Sequence, residues 1–70
     1  MDYSTSRTNM LHALRQHAKA NIELHRANVE VYLANPVGIG EHPGVMEAIQ
    51  SEVQKMAEYH DQLEILEKYF

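Results

Sequence analysis

Apolar residues recur every three or four positions along two stretches of the chain, which flank one short segment rich in proline and glycine. In the first stretch Leu11, Leu14, Ala18, Ile22, His25, Val29 and Leu33 trace one face of a helix. Ala13, His17, Ala20, Leu24, Ala27, Val31 and Ala34 trace a second face on the opposite side, with alanine at every seventh residue. Asn21 and Asn28 sit between the two stripes, one heptad apart. Arg15, Lys19, Glu23, Arg26 and Glu30 occupy what remains.

In the second stretch Val45, Ile49, Val53, Met56, His60, Leu63 and Phe70 form one apolar arc, flanked by Met46, Ala48, Tyr59 and Leu66. Glu47, Gln50, Gln54, Glu58, Asp61 and Lys68 form its polar back, as in an ordinary amphipathic helix. Between the two stretches, residues 35–44 hold both prolines and all three glycines. Proline disfavours helix in the residue before it, so the first helix is expected to stop near Ala34 or Asn35. Pro43 suits the first turn of a new helix, with Glu41 near its positive end. Val37 and Ile39 read as an apolar plug for the end of a hairpin. Ser4, Thr5, Ser6 and Thr8 are the candidate N-caps of the first helix. The pattern predicts one domain: a helix over about 6–34, a loop at 35–42 and a helix over about 43–68.

The fold class expected is therefore all-α, an antiparallel helical hairpin. A hairpin covers one face of each helix, and the first helix has two apolar faces. Dimerisation into a four-helix bundle is the expected way to cover the second. Length points the same way. A chain of 70 residues is marginal unless a disulfide, a metal or a partner helps, and this one has no cysteine. The missing cysteines fit a reducing compartment. No run is long and apolar enough to span a bilayer, and residues 1–7 lack the apolar core of a secretory signal. The cytoplasm is the expected location, with no membrane partner.

Net charge is −4, which argues against general nucleic-acid binding, since that needs clustered cations to displace counterions. The charge is also uneven. Residues 1–35 carry Arg7, Arg15, Lys19 and Arg26 against Asp2, Glu23 and Glu30. Residues 36–70 carry Lys55 and Lys68 against Glu41, Glu47, Glu52, Glu58, Asp61, Glu64 and Glu67. Antiparallel pairing of the halves brings unlike charges together, each exposed pair contributing less than ~1 kcal/mol.

Five histidines make metal the first chemistry to weigh: His12, His17, His25, His42 and His60. Helical metal sites need ligands three or four residues apart. No histidine has a second one at that spacing, and none has glutamate three residues before it. A site would have to join two helices, as in His17 with His60 and Asp61. The plainer reading makes His17, His25 and His60 seam residues satisfied by neighbouring polar groups or water, and no metal or other cofactor is expected. A buried asparagine in a seam fixes register and oligomeric state, which is the role expected of Asn21 and Asn28. Gly38-Ile39-Gly40 begins like a phosphate loop, but it follows a helix and lacks the Gly-Lys-Ser/Thr ending, so it serves turn geometry. No cysteine and no positioned serine supports nucleophilic catalysis, and two helices rarely enclose a pocket. The chain is not expected to be an enzyme.

Two segments carry a family resemblance: Asn28-Val29-Glu30-Val31-Tyr32-Leu33 with Asn35-Pro36-Val37-Gly38-Ile39-Gly40-Glu41-His42-Pro43, and the tail from Tyr59 to Phe70. Together with the helices around them they resemble small uncharacterised proteins of tailed bacteriophages, marine cyanophages among them, over about two thirds of the chain. The loop is the distinctive part. The resemblance implies a viral protein made in the cytoplasm of a host bacterium, and it brings no catalytic residues.

The function expected is a self-associating structural or interaction module, with Leu11, Leu14, Ala20, Asn21, Ile22, Leu24, Ala27, Asn28, Val29 and Val31 at its interface. Each large apolar member would contribute ~1.5–3 kcal/mol if fully buried. The alternative is an effector that binds and inhibits a host protein through the Ala13/Ala20/Ala27 face or the Ile65/Tyr69/Phe70 end.

Overall fold

A computed structural model describes residues 3–34 and 44–70 of the chain. Among the described residues there are two α-helices and no strand: α1, Tyr3–Leu33, and α2, Gly44–Tyr69, packed against each other as an antiparallel hairpin. Neither helix has proline or an internal glycine to interrupt its hydrogen-bond ladder, and Gly44 stands at the very start of α2. Ala34 N–H still donates to Glu30 O at 2.9 Å, so the last turn of α1 closes normally. Glu47 in the first turn of α2 and Lys68 in its last turn complement the helix dipole. α1 has neither device.

One expectation about helix ends changes. α1 begins at Tyr3, ahead of the expected start near residue 6, so Ser4, Thr5, Ser6 and Thr8 all fall within the helix. Asp2 and residues 35–43, where the expected loop, its apolar plug and the expected start of α2 at Pro43 fall, lie outside the described residues.

The two helices meet along a heptad seam. On α1 the seam positions are Leu11, Arg15, Ala18, Ile22, His25, Val29 and Tyr32, with Asn21 and Asn28 half-covered beside it. On α2 they are Val45, Ile49, Glu52, Met56, Tyr59, Leu63 and Leu66, with Ala48 half-covered beside it. Both sets step by four and three in strict alternation, the spacing that keeps one stripe facing a partner helix along its whole length. The seam differs from the expected stripes at two places on α1 and at three on α2, where Phe70 is 60% exposed and Leu66 takes the last position. Leu14 and Leu33 are 52% and 53% exposed, and Arg15 and Tyr32 stand in their place. On α2, Val53 and His60 are exposed, and Glu52 and Tyr59 face α1. The cause is geometric. A single residue's offset turns a side chain by about 100°, so a seam held over seven layers accepts a polar residue in register before an apolar one out of it.

The hairpin is long and thin. It measures 57 × 18 × 12 Å with a radius of gyration of 16.7 Å, against about 11 Å for a compact chain of this length. Its accessible surface is 5485 Å², about 1000 Å² more than the ~4500 Å² that size scaling gives a compact monomer of this mass. Among the described residues only Ala18 is buried. Everything else in the seam is half-covered, because a pair of helices has no third layer to close over its edges.

Candidate functional site

The polar centre of the seam joins three side chains from the two helices. His25 Nδ1 and Glu52 Oε2 are 2.5 Å apart, and Asn28 Nδ2 donates to the same oxygen at 3.2 Å. An ionised carboxylate can only accept, so the imidazole carries its proton on Nδ1. His25 and Glu52 side chains are 13% and 15% exposed. Both donors favour the charged carboxylate and hold the Glu52 carboxyl below its ordinary value, His25 most and Asn28 next, with a smaller contribution from Lys55.

One layer along, Tyr59 is flanked by two rings of α1. His17 meets it edge-on at 5.6 Å between centroids, and His25 stacks on it at 6.0 Å with the planes 12° apart. The seam register puts Ala18 opposite Tyr59, and the smallest residue of the seam makes room for the aromatic group. Nearer the open ends, Arg15 Nη2 donates to Leu66 O at 3.4 Å. That carbonyl belongs to the last turn of α2 and also accepts from Phe70 N–H, four residues on, at 3.3 Å, so the guanidinium shares an acceptor with the bond that closes the helix.

Asn28 thus bonds across the hairpin, while Asn21 donates from Nδ2 to His17 O at 2.8 Å, one turn back on its own helix. Of the expected interface residues, Leu11, Ile22, Val29, Asn21 and Asn28 are half-buried by the hairpin itself. Leu14, Ala20, Leu24, Ala27 and Val31 are exposed, with Leu24 at 55% and Val31 at 69%. The expected set divides between an internal seam and an outer face.

His17 and His60 do not meet. His17 is on Tyr59, whereas His60 lines an open groove of about 420 Å³ on the other edge of the hairpin, with Ile22, Val29, Val53, Met56 and Ala57 as walls and Arg26 and Glu30 at its rim. Tyr59 and His60 are neighbours in sequence and so point about 100° apart. No group of three or more His, Asp and Glu among the described residues is placed to hold a metal ion. On the exposed flank of α1, Arg26 donates from Nε and Nη2 to Glu23 Oε2, at 3.1 and 2.9 Å. The pair raises the Arg26 guanidinium further above its ordinary value, through that hydrogen bond first and charge attraction second.

Sequence reasoning missed Glu52 as a site residue, because an acid reads as solvent-facing until its partners are known. The only signal in the chain was its heptad phase with Val45, Ile49 and Met56. Among the described residues no helix is long and apolar enough to cross a membrane. Comparison of the chain with protein-family models, with curated proteins and with solved structures gives no match.

Proposed function

We propose that this protein is a non-enzymatic helical interaction module that self-associates through the outer face of α1, so that two hairpins bring four helices together. The observation that carries this reading is the exposure of Leu24 and Val31, at 55% and 69%, on a face otherwise made of Ala13, Ala20 and Ala27. Apolar faces of that length are unusual on a small monomer. The polar groups of the seam are taken up inside the hairpin and leave this outer face apolar. His25, Asn28 and Glu52 are engaged with one another, an arrangement that fixes register. By the resemblance of its loop and tail, the module would work in the cytoplasm of an infected bacterium.

A second reading has its own observation. Ile65, Tyr69 and Phe70 are 45%, 63% and 60% exposed at one end of the hairpin, a patch to which a host protein could be recruited and inhibited. Light scattering across a wide concentration range separates the two. Self-association gives a mass of twice the 8.1 kDa chain or a higher multiple, and Leu24→Glu returns it to the chain mass with its helix content kept. A monomer at every concentration overturns the first reading and leaves the exposed end as the working surface.

A further inference from the structure

We draw no further inference here: the strongest candidate, the open apolar groove between Ile22 and Val29 of α1 and Val53, Met56 and Ala57 of α2, carries none because nothing in the structure shows what covers it.

Discussion

His25 on α1 and Glu52 on α2 share a hydrogen bond of 2.5 Å, 27 residues apart in sequence and at the middle of the hairpin. The contact ties the register of the helices to the charge of one carboxylate, since sliding α2 by one residue would turn Glu52 away and leave both His25 and Asn28 without their acceptor. Glu52→Ala is therefore expected to lower the thermal midpoint more than Glu52→Gln, whose amide oxygen still accepts from one donor. Circular dichroism melts at neutral pH test the order. Equal melts for the two variants and the parent would show that the triad contributes nothing.

The pH dependence of that contribution follows from the direction of the shift. The folded Glu52 carboxyl lies below its ordinary value, so the unfolded chain takes up the proton first as acid is added. The stabilisation is fully present above the ordinary carboxylate value of about 4.3 and is lost as pH falls through the lower, folded value. The midpoint difference between the parent and Glu52→Gln should shrink below about pH 4. A difference that persists undiminished in stronger acid would contradict the assignment.

Ala18 is 1% exposed, in the seam layer that the register sets opposite Tyr59. Ala18→Leu adds volume where the tyrosine ring already fills the space, at an expected ~1–3 kcal/mol of stability from overpacking. Leu14→Ala, at a 52% exposed position, should cost under ~0.5 kcal/mol in the isolated hairpin. Urea unfolding of both variants, at a concentration where the mass is that of one chain, checks the contrast. A larger loss for Leu14→Ala would place the seam one residue away from where it lies.

Arg15 supplies a donor to Leu66 O from across the hairpin. Arg15→Met keeps most of the apolar stem on the seam and removes the guanidinium. The last turn of α2 should fray, with a loss of roughly 0.5–1.5 kcal/mol confined to that end. Amide exchange should quicken at Tyr69 and Phe70 while Ile22 and Met56 keep their protection. Uniform loss of protection would mean that Arg15 acts on the whole hairpin.

The sequence by itself determined that there are two helices, because the seven-residue apolar rhythm is local and the prolines and glycines are confined to one segment between its two runs. It also determined that α1 has an apolar face to spare, since two stripes displaced by two residues cannot both meet one neighbour. Hydropathy could not choose between Leu14 and Arg15, or between Val53 and Glu52, for the seam. That choice belongs to both helices at once: seven layers must stay in phase, and His25 with Asn28 can hold an acid only where α2 brings one opposite. Only the tertiary structure joins residues that far apart, and so it decided that the polar centre lies inside the hairpin while Leu24 and Val31 are left facing outwards.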